Sequence, residues 1–406
     1  MWRDVSDLLT NDRGAALVLT LLVVALITIL VLQYHFDAAV EVELADSYAS
    51  DLQAYYLAMS GLNFARAVLQ RDTNEYDAAD DLWAMLGTVG CVSPQELLAL
   101  ARDMGEAQES GGSAAIDTEA TTAAKTTSRA ETTTRAETPS GVEESEAAAA
   151  CVRITIVDEA RKLPMRALVD AQGCTEYASH QAWVAIFERF FEDFKINEDD
   201  ITDAINALID WQDASCESPD GSRSGGAEDD YYQGLEKPYS IPYLPMQVPG
   251  ELRLVRHFTC EALAKLFPGK ECKDVADLDL GSNNYLTPYG GWGDEARVNI
   301  NTATEAVLRA LIPDETCIED ILERRGVGFE GQLLDVEPFQ DVSQVCGGAL
   351  PQDANTTIGF RSNYFRVEAI GEVEGLIKKK IVAVLSRSGQ GNQPGDGPQM
   401  VYFKVE

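Results

Sequence analysis

From Ala15 to Leu32 the chain reads AALVLTLLVVALITILVL, a run without a single charge. As a helix it extends about 27 Å, roughly one hydrocarbon core, so this segment can cross a membrane. A secretory signal that is cut off has a shorter apolar centre followed by a small-residue cleavage site. Here the apolar run passes straight into further helical sequence, and a polar leader ends ahead of it at Asp12-Arg13-Gly14. Two readings follow: cleavage before the run, which leaves the helix attached as an anchor, or an uncleaved single-span anchor.

Past the span, Val42, Leu44, Tyr48, Leu52, Tyr55, Tyr56, Met59, Leu62 and Val68 recur every three to four residues, which predicts a continuing helix with one apolar face. That face packs either on the protein's own globular part or on a partner. With 67 Asp plus Glu against 32 Lys plus Arg, the formal charge is -35. Such a surface repels nucleic-acid phosphates and anionic lipid headgroups.

Residues 105–150 are poor in large apolar side chains and rich in Thr, Ala, Glu, Ser and Gly, and are expected to be a disordered insertion. Strand-like sequence resumes at Cys151–Val157. A second pair, Tyr364–Ile370 and Lys380–Leu385, flanks a polar, Gly-containing connection and predicts an antiparallel hairpin. Between these strands the chain is mostly helical in pattern, with Ile201, Ile205, Leu208 and Ile209 on one face. The sheet is therefore expected to carry a large helical insertion. The eight cysteines contain no C-x-x-C pair, which removes support for zinc-ribbon and thiol-redox chemistry. An exported chain with an even cysteine count favours disulfides, and the pairs expected are Cys91 with Cys151, flanking the polar insertion, and Cys317 with Cys346.

Asp210, Asp213, Asp220, Glu228, Asp229 and Asp230 place hard oxygens around a Gly- and Ser-rich loop, chemistry that suits calcium, although the spacing is not that of an EF-hand. Solvation or helix capping is the competing use of these carboxylates. Asp277, Asp279, Asn283 and Asn284 make a second, weaker oxygen-rich group. The three histidines, His35, His180 and His257, stand in unrelated contexts, and no G-x-S-x-G, H-E-x-x-H or phosphate loop is present, so no catalytic residue is assigned and no enzyme is expected.

The leader closing on Arg13-Gly14 ahead of an apolar helix resembles the prepilin peptidase site of type IV pilins and pseudopilins. The order Ala-Leu-Ile-Asp-Trp-Gln-Asp (207–213), Gly-Ala-Glu-Asp-Asp-Tyr-Tyr (226–232), Glu-Leu-Arg-Leu-Val (251–255), then Val-Asn-Ile-Asn-Thr-Ala (298–303) resembles the K-type minor pseudopilins of type II secretion systems. The resemblance implies cleavage between Gly14 and Ala15. It also gives meaning to Leu19, which holds the fifth mature position where most pilins carry a Glu; lack of that Glu characterises the K type, placed at the filament tip. Structural calcium, partnership with I- and J-type minor pseudopilins and other pseudopilins, and a single-pass place in the bacterial inner membrane with the globular part in the periplasm are implied in the same way.

The segment from Arg297 to Leu308 also resembles helix-hairpin-helix modules, with Thr302 and Glu305 at capping-box spacing and Leu308, Leu311, Ile318 and Leu322 as the contact between its helices. Its hairpin reads Ile312-Pro313-Asp314-Glu315, with two carboxylates where a DNA-binding hairpin offers backbone N–H groups, so no nucleic-acid partner is expected.

The expected architecture is α+β: a pilin-like long N-terminal helix packed on a small antiparallel sheet, with a large all-helical domain inserted into the sheet region. In order, the expected parts are a leader (1–14), the N-terminal helix (15–70, its span 15–32) and a helical or irregular segment with the disordered insertion (71–150). The sheet follows (151–170 and 360–390), holding the inserted helical domain with the candidate calcium loop (171–296) and the helix-hairpin-helix-like module (297–345). A minor pilin or adhesin of a type IV pilus would use the same anchor and disulfides, and a competence-type DNA receptor is a weaker alternative.

Overall fold

A computed structural model of the chain describes residues 12–110, 150–196, 200–213, 225–266, 285–325, 337–348, 350, 352–387 and 397–406. The expected Thr-rich insertion, Asp220, and the group Asp277, Asp279, Asn283 and Asn284 lie outside or almost wholly outside these residues.

Helix α1 runs from Asp12 to Arg71 without interruption. It is followed by α2 (Leu82–Met85), β1 (Cys91–Val92), α3 (Pro94–Ser110) and β2 (Ala150–Asp158). After the inserted region come β7 (Tyr364–Val373), β8 (Ile377–Ser386) and β9 (Gln399–Val405). These strands form one antiparallel sheet in the order β1-β2-β7-β8-β9. The hairpin expected from the sequence is present and longer than its apolar core suggests. It turns at Glu374-Gly375, both with positive φ, and pairs Val373 with Ile377. Two strands of this sheet went unread in the sequence. β1 is only two residues long, and β9 shows no clean alternation because every one of its residues is at least partly exposed.

The outer half of α1 lies on this sheet, but on a face different in detail from the predicted stripe. Ala54, Leu57, Ala58, Leu62, Phe64, Ala65, Val68 and Leu69 are buried, whereas Val42, Leu44, Tyr48, Leu52 and Tyr56 are exposed. Small residues decide the contact. A Cβ added at Gly61 would stand 2.8 Å from Val152 Cγ2, and one at Gly371 would overlap the carbonyl oxygen of Ala54. With hydrogen at both positions, helix backbone and strand backbone approach closely, and Val152, Ile154, Val367, Ala369, Ile381 and Ala383 pack beneath the helix. Large apolar residues upstream of Ala54 therefore have no sheet to cover them.

Between β2 and β7 the chain builds a second core. Its parts are β3 (Leu163–Pro164), α4 (His180–Asp193), α5 (Ile201–Gln212), α6 (Asp229–Gln233), α7 (Cys260–Leu266), β4 (Leu286–Thr287), β5 (Val298–Asn299), α8 (Glu305–Leu311), α9 (Glu315–Arg324), α10 (Gln352–Thr357) and β6 (Ile358–Gly359). Trp183, Phe187, Phe190 and Phe191 on one face of α4 meet Leu208 of α5 and Leu308 of α8 in a single hydrophobic cluster. The two units divided at residue 296 in the sequence reading thus share one core. Two short parallel pairs, β3 with β4 and β5 with β6, close the insertion on itself.

The helix pair α8 and α9 is present, with Leu308, Leu311 and Ile318 buried and Leu322 packed against them. Its expected N-cap is displaced. Thr304, not Thr302, caps α8, accepting from Val307 N at 3.4 Å, because the Thr302 hydroxyl donates instead to Asp158 Oδ2 at 2.5 Å. Both expected disulfides form: Cys91–Cys151 joins β1 to β2, and Cys317–Cys346 ties α9 to the segment after it.

Candidate functional site

Three regions can carry function: the exposed length of α1, the acidic loop of the insertion, and the polar junction between insertion and sheet. By length and composition, α1 is long and apolar enough to cross a membrane. None of its most apolar stretch is covered by the rest of the protein. Beyond it, Phe36, Val42, Leu44 and Tyr48 stay 64% or more exposed, an apolar helix surface left uncovered by the described residues. Gly14 and Ala15 lie in the first turn of α1; their side chains fall outside the described residues.

In the insertion, three separated motifs come together. Trp211 at the end of α5 packs edge-on against Tyr232 of α6 with ring centroids 5.5 Å apart, and its Nε1 donates to Glu251 Oε2 at 3.4 Å. Tyr232 is fully buried, and its hydroxyl accepts from Arg256 N at 3.1 Å. The Arg256 guanidinium stacks on Tyr231 and donates to Gly226 O at 2.9 Å.

Around this aromatic centre the acidic side chains take distinct places. Asp210 is wholly buried, with Oδ2 accepting from Ala227 N at 2.9 Å, and Asp213 ends α5 in a buried position. Glu228 Oε2 accepts from the Tyr243 hydroxyl at 3.3 Å, and Asp229 Oδ1 accepts from Ile241 N at 3.1 Å. Asp230 points to solvent. Asp203 was not singled out in the sequence, yet it sits against Gly225, where an added Cβ would strike its carboxylate. Among the described residues, no three of the six acidic candidates bring oxygens within 4.8 Å of one another; Asp72, Asp77 and Asp81 do.

That last trio belongs to the junction, which sequence reasoning missed because its members are scattered from residue 72 to 387. Arg387, at the end of β8, pairs with Asp72 at 2.9 Å and Asp77 at 2.5 Å. Asp81 takes Ala78 N, Asn74 Nδ2 and Trp83 Nε1, and burial pushes its carboxyl up to about 6. Burial likewise raises Asp77, against the pull of Arg387.

Asp158 is the central knot, fully buried and raised for the same reason. Its Oδ2 accepts from Ser362 Oγ at 2.6 Å, Thr302 Oγ1 at 2.5 Å and Asn299 Nδ2 at 3.0 Å, and its Oδ1 accepts from Ala160 N at 2.7 Å. Beside it, Glu159 lies between Lys162 and Arg366, each at 2.7 Å, and accepts from Thr287 Oγ1 at 2.6 Å. Burial alone would raise Glu159, but the two cations outweigh it and bring its carboxyl to about 2. The network fixes the orientation of the insertion on the sheet, since its partners come from β2, β4, β5, β7 and the end of α1.

Residues 162–269 match the family model described as Type II secretion system (T2SS), protein K. The family expectation is therefore borne out over the part of the insertion that carries the Trp211, Tyr232 and Glu251 motifs. A solved structure similar to this chain is that of the GspK-GspI-GspJ complex from the enterotoxigenic Escherichia coli Type 2 Secretion System. One of its chains matches at 13% identity with a TM-score of 0.48, covering 91% of this chain and 99% of that one. Among curated proteins, none matches the sequence.

Proposed function

From the premise that the chain is a minor pseudopilin of the type II secretion system, the family its residues 162–269 match, we propose that it stands at the tip of the pseudopilus. The carrying observation is the combination of that matched insertion with a helix-on-sheet unit whose N-terminal helix is bare along its apolar length. The bare helix is the anchor in the inner membrane and the surface offered to I- and J-type minor pseudopilins, and the globular part lies in the periplasm. The insertion gives a physical reason for the tip: a repeating filament interior leaves little room for a lobe of this size. The work is assembly for protein export, with no catalytic role assigned to any residue.

Leu19 fits the tip as well. A subunit with an apolar residue there carries no buried carboxylate that must be matched by a neighbour in lipid. Cleavage between Gly14 and Ala15 by a prepilin peptidase is tested by intact mass after coexpression with the enzyme. Loss of residues 1–14, blocked in Gly14→Val, supports the reading; an uncut chain, or one cut after Leu32, overturns it. Copurification with I- and J-type subunits, weakened by Tyr48→Asp on the exposed face of α1, tests the partners.

Calcium belongs to the same proposal. The donors at the acidic loop, with Asp210 held by Ala227 N–H, Asp203 against Gly225, and Asp213 and Glu228 close by in sequence, have the hard-oxygen chemistry that calcium takes, and such an ion would brace the loop against the Trp211 and Tyr232 centre. Calcium is expected to raise the melting temperature of the chain, and Asp210→Asn to abolish that rise; a melt unmoved by chelation removes calcium from the proposal.

A further inference from the structure

Two guanidinium groups near the junction of insertion and sheet lie close enough for their charges to interact, and neither has a carboxylate hydrogen-bonded to it among the described residues. Arg325, just past α9, is 5% exposed. Its Nη1 donates to Ile300 O at 2.6 Å and Ala303 O at 2.7 Å, which fixes the group against the 300–303 turn. Its Nε is buried and without a hydrogen-bond partner. In the middle of that turn, Thr302 is held by Asp158, three residues before Arg161.

Arg161 is partly buried, with Asp158 and Glu159 acting on its charge, and it acts in turn on Arg325: burial first and then Arg161 bring Arg325 down to about 10. The carboxylates nearest to Arg161 are already engaged. Asp158 accepts from four donors, and Glu159 is bound by Lys162, Arg366 and Thr287.

A buried cation without a counter-charge is costly, and a second cation beside it raises the cost. The Nε and Nη2 edge of a guanidinium is the edge that grips an oxyanion through two parallel N–H donors, and in Arg325 Nη1 is the nitrogen already occupied. The burial of Arg325 limits the occupant to a small ion, and two positive charges favour one that is doubly charged.

We propose that the free edge of Arg325, with the Arg161 charge near it, is a binding site for a small oxyanion of the phosphate or sulfate class, which braces the insertion on the sheet.

The probe is inorganic phosphate, titrated into the detergent-solubilised full chain at neutral pH against chloride of matched ionic strength and followed by calorimetry and melting temperature. The expected result is saturable binding of one phosphate per chain with a rise in melting temperature. Arg325→Lys keeps the charge but lacks the two-pronged edge, and is expected to bind about tenfold more weakly or worse, because the paired donors are lost. Arg161→Gln weakens binding in the same direction and decides the matter if the Arg325 variant does not fold. Arg309→Gln, on the exposed face of α8, leaves binding unchanged. No saturable binding, or binding equal in Arg325→Lys, Arg161→Gln and the unaltered chain, would mean an adventitious ion only and overturn the proposal.

Discussion

Replacing Asp158 by Ala removes the acceptor for four donors at once. Two of them have other partners: Asn299 Nδ2 keeps Asp77 O at 2.9 Å and Ser362 Oγ at 3.1 Å, and the Thr302 hydroxyl can turn to Asn299 O at 3.4 Å. The Ser362 hydroxyl is left unmatched in the interior, and the part-buried Ala160 N–H loses its acceptor. At about 1–3 kcal/mol for each orphaned donor the loss is about 2–6 kcal/mol. Relief from burying the carboxylate, whose burial raises its pKa, offsets part of this and favours the lower half, about 2–4 kcal/mol.

Asp158→Asn keeps the shape and one acceptor oxygen, so it is expected to cost less, about 1–2 kcal/mol. The assay is urea unfolding at neutral pH followed by tryptophan fluorescence, because Trp83 reports the sheet core while Trp183 and Trp211 report the insertion. If the junction couples the two cores, both signals shift to lower urea together. A loss below about 1 kcal/mol for the Ala variant would refute the assignment of Asp158 as the knot between insertion and sheet.

Glu159 sets an acid limit. Its carboxyl lies at about 2 in the fold against an ordinary 4.5, so its stabilising contribution is full above pH 4.5 and is lost as pH falls from 4.5 towards 2. Glu159→Gln, which leaves Lys162 and Arg366 buried without their partner, is expected to cost about 3 kcal/mol or more at neutral pH and to flatten the stability profile in that acid window; parallel profiles would contradict the ion-pair geometry. Gly371→Ala should destabilise the helix-on-sheet unit by about 2 kcal/mol or more, since the new methyl meets helix backbone at Ala54 and Ala58 and not a movable side-chain end; an unchanged melting temperature would show that α1 can shift away freely. Opening Cys91–Cys151 by Ser substitution at both positions frees a loop with a sequence separation of 60 and is expected to cost up to about 4 kcal/mol in chain entropy, read as a lower urea midpoint under oxidising conditions only.

The long apolar helix, the central hairpin and the helical character of the insertion were determined by the sequence alone, and two disulfide pairs were expected from it. The first three are features of local periodicity or of composition: an uncharged run of that length is long enough to cross a membrane, and period-two alternation in 364–370 specifies a strand wherever the chain goes. The motifs around Trp211, Tyr232 and Glu251 were legible as an ordered series, although only the fold brings the tryptophan, the tyrosine and the glutamate into contact.

What the tertiary structure decided depends on distance through space. The stripe on α1 reads as one face, yet the sheet covers it only from Ala54 onward, because Gly61 and Gly371 permit close approach there and, among the described residues, none covers Val42 or Tyr48. Thr302 stands at capping-box spacing, but Asp158, far away in sequence, takes its hydroxyl and moves the cap to Thr304. The junction of Asp77, Asp158, Ser362 and Arg387 has no sequence signature, since its charges balance only when the ends of α1, β2 and β8 converge and water leaves. Burial gives those isolated residues their roles, and burial is a property of the whole fold.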